Sequence, residues 1–107
     1  MGKFEVKKGK NDQYYFNLKA NNGQVILSSE GYSSKSNCLK GIESVKVNGN
    51  AAQFEKSTAS NGKFYFTLKA KNAQVIGQSQ MYTTESSRDN GISSVISNAA
   101  EASTEEL

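Results

Sequence analysis

Tyr15-Phe16-Asn17-Leu18-Lys19-Ala20 recurs fifty residues later as Tyr65-Phe66-Thr67-Leu68-Lys69-Ala70. The same offset lays Gln24-Val25-Ile26 on Gln74-Val75-Ile76, Gly41-Ile42-Glu43-Ser44-Val45 on Gly91-Ile92-Ser93-Ser94-Val95, Phe4-Glu5 on Phe54-Glu55, and Tyr32 on Tyr82. Between residues 4 and 48, 20 of 45 positions are identical to their counterparts, with no insertion. Chance similarity does not hold register over such a length, so the chain is a tandem duplication. Repeat 1 spans 4–48 and repeat 2 spans 54–98, within a single domain covering residues 1–107. A unit of about 50 residues is marginal as an independent fold. Two copies sharing one core is the physical way out.

Within each copy the hydrophobic period gives the elements. Phe4-Glu5-Val6-Lys7 alternates apolar and charged residues, as a half-buried strand does. Gly9 to Asp12 supplies a turn. From Tyr14 to Ala20, Phe16 and Leu18 point to one side while Tyr15, Asn17 and Lys19 point to the other. Asn21-Asn22-Gly23 predicts a type I′ hairpin turn, and Lys71-Asn72-Ala73 a poorer version of it without the Gly. Val25–Ser29 and Val75–Ser79 close a three-stranded meander in each copy.

Ser33-Ser34 and Thr83-Thr84 then offer hydroxyl side chains that can cap a helix N-terminus. Cys38, Ile42 and Val45 follow at one-face helical spacing, widened by Leu39, and Arg88, Ile92 and Val95 match them, with Ile96 alongside. Asn48-Gly49-Asn50 predicts the end of the first helix. Gly41 and Gly91 sit inside the helices at a cost of about 1 kcal/mol relative to Ala. Their retention in both copies predicts that the helix backbone lies close against the sheet. Tyr32 and Tyr82 are expected to pack on the helix starts. Each repeat therefore reads βββα, and the whole reads as a two-layer α+β domain, one antiparallel sheet with both helices on one face. Residues 99–107 are expected to be a tail without order.

The stretches Tyr14–Ala20, Asn22–Ile26, Ser29–Tyr32 and Gly41–Val45 resemble the YegP-like family of small bacterial proteins. The resemblance runs from residue 4 to about 98, and repeat 1 follows the pattern more faithfully. Met81 replaces Gly31 and Ser93 replaces Glu43 in the second copy. The resemblance implies β3-α-β units that combine into one sheet and exchange their C-terminal strands. It implies no activity, no cofactor and no site residues, because the family is uncharacterised.

Composition narrows the chemistry. The chain has 107 residues, no His, no Trp, no Pro and a single Cys, Cys38. Without His there is no imidazole base to activate a Ser or Cys nucleophile. One Cys cannot close an internal disulfide. Glu5, Glu30, Glu43 and Glu55 form no recognisable acid–base pair. No Gly-rich phosphate loop or calcium-loop spacing is present, so neither metal nor cofactor is expected. The expectation is a non-enzyme.

Net charge is +3, unevenly spread. The first fifty residues hold eight Lys against four acids. The rest holds four Lys and Arg88 against six acids, of which Glu101, Glu105 and Glu106 fall in the last seven residues. No stretch approaches the roughly 20 apolar residues of a membrane span. A cytoplasmic monomer is therefore expected, both repeats being in one chain. The candidate binding face is the polar side of the long strands: Tyr15, Asn17, Lys19, Tyr65, Thr67 and Lys69. It is expected to bind a macromolecular or peptide partner. The alternative is single-stranded nucleic acid, whose bases would stack on the two Tyr and whose phosphates would meet the Lys.

Overall fold

The computed structural model describes residues 2–48 and 53–107. Its elements follow the order β1 (Lys3–Lys8), β2 (Tyr14–Lys19), β3 (Val25–Ser29), α1 (Lys35–Asn48), β4 (Phe54–Thr58), β5 (Phe64–Lys69), β6 (Val75–Gln78), α2 (Glu85–Ala99) and β7 (Ser103–Glu106). Ser34 Oγ accepts the Asn37 N–H at 3.1 Å and Thr84 Oγ1 accepts the Ser87 N–H at 3.0 Å, so both hydroxyl pairs cap their helices as expected. Gly49 and Asn50, part of the expected helix stop, lie outside the described residues.

One seven-stranded sheet runs in the order β4-β5-β6-β3-β2-β1-β7. The two meanders join through the antiparallel β3–β6 pair, Ser28 opposite Gln78. Phe4, Phe16, Leu18 and Leu27 from the first meander and Phe66 and Leu68 from the second are all fully buried, in one cluster with Ile42, Val45, Ile92 and Val95 of the helices. Helix α1 lies over β2 and reaches β5 and β6, while α2 lies over β5 and reaches β3. Each helix thus crosses the seam between the repeats, which explains why two marginal units make one core.

Gly41 and Gly91 are buried, and the close approach is real. A Cβ on Gly41 would run into the Tyr32 hydroxyl and come within 3.1 Å of the Phe16 ring; one on Gly91 would meet Tyr82 and Phe66 in the same way. The helix backbone therefore rests on a tyrosine as well as on the sheet. Tyr32 stacks on Phe16 (6.2 Å, 18°) and Tyr82 on Phe66 (6.4 Å, 16°). Both tyrosines also exchange backbone hydrogen bonds with the starts of β2 and β5.

Three expectations need correction. Residues 99–107 are not a tail without order: α2 extends to Ala99, Ala102 is buried, and Ser103–Glu106 form β7. The strand has no apolar pattern of its own because its pairing with β1 supplies the order. The sheet is consequently mixed, since β7 runs parallel to β1. β7 follows the helix of repeat 2 and pairs with β1 of repeat 1, which is the strand exchange that the resemblance implied. Finally, the Asn22-Gly23 turn is not type I′, which needs positive φ at both central residues. Only Gly23 has it (82°), within a longer loop closed by Ala20 N–H to the Gln24 carbonyl and Gly23 N–H to the Ala20 carbonyl, both 2.9 Å. Ala73 adopts the same conformation at φ 69°, at the strain expected for a residue with a Cβ.

Candidate interaction surface

Strand alternation puts Phe4, Phe16, Leu18, Leu27, Phe66 and Leu68 under the helices, and among the described residues no helix covers the opposite face of the sheet. Across that face the register draws one continuous row: Glu105, Glu5, Asn17, Ser28, Gln78, Thr67 and Glu55, one residue from each of the seven strands. Its centre is neutral and hydrogen-bonding, and its ends are carboxylates. The Ser28–Gln78 pair marks the pseudo-twofold axis between the repeats.

The six candidate residues all lie on this face, but the fold does not gather them. Asn17 and Thr67 belong to the central row, and Thr67 is buried among its neighbours at 9% exposure. Tyr15, opposite Lys7, flanks the row on one side; Tyr65, opposite Ser57, flanks it on the other. Three strand spacings and four residues of rise separate the two rings, about 20 Å. They do not form one stacking platform.

The lysines are committed to glutamates. Lys19 Nζ lies 2.9 Å from Glu5, and Lys69 Nζ lies 3.1 Å from Glu55, a pair repeated in both halves. Lys3 also reaches Glu5, at 3.4 Å, and Glu105, at 3.5 Å. The hydrogen bond from Lys19, assisted by Lys3 and opposed by partial desolvation, holds the Glu5 carboxyl below its ordinary value of 4.5. A carboxylate with a depressed folded-state pKa contributes stability above its unfolded value and loses it as pH falls through the folded value. Glu5→Gln should therefore melt below the parent at pH 7, by the small margin typical of surface pairs. The two melting curves should converge as pH drops below 4. A difference that stays constant from pH 7 to pH 2 would show that Glu5 acts by packing alone.

Beside Tyr15 the face is hollowed into a recess of about 530 Å³ bordered by Gln13, Ser28, Gly31 and Gln78. The Tyr15 hydroxyl accepts from Asn11 Nδ2 at 3.0 Å and donates to Gln13 Oε1 at 3.4 Å. A Cβ at position 31 would collide with Gln13 and approach the Tyr15 hydroxyl to 3.1 Å. At the corresponding place in repeat 2, Met81 stands 43% exposed and Lys63 replaces Gln13. The recess thus distinguishes the first half from the second. Only the exchange of Gly31 for Met81 hinted at it in the sequence.

Cys38 is fully buried, and desolvation pushes its thiol pKa up, which makes it less reactive. Its counterpart Arg88 is also buried, at 6% exposure, with its guanidinium 5.6 Å from the Phe64 ring and 3.2 Å from Asp89. Burial of Arg88 is paid for by that ion pair and ring contact. Among the described residues no helix is long and apolar enough to cross a membrane.

Two βββα repeats, one sheet, two seam-crossing helices and an exchanged last strand define a class of tandem-repeat α+β domains. The chain belongs to the DUF1508 family, a domain of unknown function, whose profile matches residues 10–55 and again 59–106. It is similar to the UPF0339 protein YegP of Yersinia pestis, 58% identical over 48 residues, a match covering 45% of this chain and 43% of that protein. It is also similar to a UPF0339 protein of Treponema denticola, 55% identical over 47 residues, covering 44% of this chain and 81% of that shorter protein. The matched stretch thus spans less than half of the Yersinia protein. In three dimensions the chain matches the solution structure of yegP from E. coli, a protein of unknown function, with a TM-score of 0.93 and 51% identity. That match covers 98% of this chain and 91% of the other. A UPF0339 protein of Shewanella oneidensis matches with a TM-score of 0.93 and 50% identity, over 99% of this chain and 91% of that one.

Proposed function

We propose that this chain is a non-catalytic interaction module that holds a partner across the open face of its sheet. The observation that carries the reading is the uninterrupted polar row across seven strands. Asn17, Ser28 and Gln78 offer amide and hydroxyl groups to a partner, with the Tyr15 recess beside them. A neutral centre favours a hydrogen-bonding partner over a polyanion. The Glu5–Lys19 and Glu55–Lys69 pairs occupy the two lysines that would stand beside the tyrosines in a phosphate-binding reading. The absence of His and the engagement of Glu5 and Glu55 with lysines leave the face poorly equipped for acid–base catalysis.

The test is selection of binding peptides from a random displayed library, followed by NMR mapping of the best binder. Amides of Asn17, Ser28, Thr67 and Gln78 should shift, and the Ser28→Arg/Gln78→Arg double variant should weaken binding at least tenfold. Binders that map elsewhere, or that tolerate the double variant, would overturn the reading. The same spectra taken with oligothymidine and oligouridine at low salt should stay unchanged. Salt-sensitive shifts at Tyr15 and Tyr65 would replace a peptide partner with single-stranded nucleic acid.

A further inference from the structure

The two outer strands of the sheet are not equivalent. β7 pairs with β1 at a constant offset of one hundred residues, Ser103 opposite Lys3 and Thr104 opposite Phe4. That offset is twice the repeat, so β7 follows α2 at the place where β4 follows α1. β4 is the counterpart of β1, and among the described residues no strand pairs with its outer edge.

The residues beneath the two edges differ accordingly. Under the covered edge lie Val6 and Cys38, both buried, and the partly buried Leu39. Their counterparts under the uncovered edge are Lys56, Arg88 and Asp89, joined by Lys56–Asp89 and Arg88–Asp89 contacts of 3.2 Å, with Glu85 3.8 Å from Arg88. Charges at an open edge discourage strand addition. An apolar bed supports it. Only the β1 edge is built to receive a strand.

β7 fills that edge incompletely. All four of its residues are exposed. Backbone pairing holds it, together with the Leu107 N–H to the Val6 carbonyl at 2.8 Å and two ion pairs, Lys3–Glu105 (3.5 Å) and Lys35–Glu106 (2.7 Å). Where β1 and β4 carry Phe4 and Phe54, β7 carries Thr104. Beside Thr104 a groove of about 700 Å³ stays open, lined by Leu39 and Ile42, by Lys35 and Lys40, and by Glu43 and Glu106. The stems of the two lysines add apolar wall, and the Lys35 ammonium group is held by Glu106.

We propose that the β1 edge and the adjoining α1 groove form a docking site for an acidic, extended peptide of a partner protein, and that β7 is a tethered occupant which this peptide displaces. The site is separate from the sheet face, and the proposal stands without the reading given for that face. The incoming segment runs parallel to β1. It carries a small residue where Ala102 is buried, a large apolar residue at the place of Thr104, and carboxylates at the places of Glu105 and Glu106. Main-chain pairing supplies affinity, and the alternating side-chain positions supply specificity. The apolar residue fills the groove that Thr104 leaves open. That advantage is needed because a tethered strand competes at an effective concentration of order millimolar.

The probe is a fluorescein-labelled heptapeptide, Glu-Ala-Ser-Phe-Glu-Glu-Leu, followed by fluorescence anisotropy with the full chain. Glu106→Lys sets β7 against Lys35 and frees the edge, so this variant should bind the peptide at least tenfold more tightly than the parent. Adding Lys35→Glu to Glu106→Lys pairs β7 with the helix again and repels the peptide, so binding should fall at least tenfold below that of Glu106→Lys, and a peptide with Lys in place of its last two Glu should fail to bind Glu106→Lys. Both substitutions are at exposed side chains, and circular dichroism would verify folding. In spectra of the parent chain at millimolar peptide, amides of Lys3–Val6 and Leu39 should shift. Equal affinity for the parent and Glu106→Lys, indifference to peptide charge, or shifts confined to Phe54–Thr58 would each overturn the proposal. The sheet-face reading is untouched by any of these results, because its row residues and its own binders are tested separately.

Discussion

Gly41→Val should destabilise the protein by about 3 kcal/mol, the upper range for overfilling a packed site. That corresponds to a fall in Tm of roughly 10–20 °C for a domain of this size. The branched side chain has no room to go to. The Tyr32 hydroxyl lies directly on the Gly41 backbone, and the Tyr32 ring carbon bearing it would be 2.7 Å from a new Cβ. Tyr32 cannot retreat freely, because it stacks on Phe16 and bonds through its backbone to Tyr14. Lys40→Val, one residue earlier and exposed, should cost only about 0.5 kcal/mol through helix propensity. Adding Tyr32→Phe to Gly41→Val removes the nearest obstructing atom and should recover part of the loss, a coupling that a double-mutant cycle measures. Equal melting temperatures for Gly41→Val and Lys40→Val would show that the helix does not rest on Tyr32.

Phe66→Ala should cost about 3–5 kcal/mol, as expected for removing a buried aromatic ring. Phe66 is fully buried, meets Phe54 edge-on at 5.4 Å and 75°, and stacks on Tyr82. Its loss would leave a cavity under α2 that neighbouring strands cannot close, since their backbones are held in the ladder. Phe16→Ala removes the equivalent ring beneath α1, which meets Phe4 at 5.7 Å and 72°. The two losses, measured by urea titration, should agree within about 1 kcal/mol if the repeats carry equal shares of the core. A cost below 1 kcal/mol for either would contradict a shared, close-packed core.

Both predictions rest on residues that the duplication itself exposes. Phe16, Phe66, Gly41 and Gly91 recur at one offset, and their surroundings recur with them. The candidate face was legible only in part. Parity alone places Tyr15, Asn17 and Lys19 on one side of β2, but the partner of Lys19 depends on how β1 registers against β2. The recurrence of Phe-Glu at residues 4–5 and 54–55 was the available sign that Glu5 and Glu55 belong with those lysines. Likewise, Arg88 at a buried helical position looked like a departure from Cys38. Its meaning appears only beside Lys56 and Asp89, at an edge that no strand of the described residues covers.

β7 was the largest omission, for a definite reason. Ser103-Thr104-Glu105-Glu106 has neither alternation nor apolar content, so nothing local makes it a strand. Its order comes from the free hydrogen-bonding groups of β1, a hundred residues away in sequence, and from Lys3 and Lys35.

Local period and internal repetition, readable without coordinates, therefore determine the two βββα units, the caps of their helices and the buried face of each strand. These properties depend on neighbours a few residues apart. Tertiary structure decides how the units join through Ser28 and Gln78, how the helices cross the seam, and which outer edge receives β7. Those choices compare pairings between distant segments, where a few ion pairs and an apolar or charged bed tip the balance.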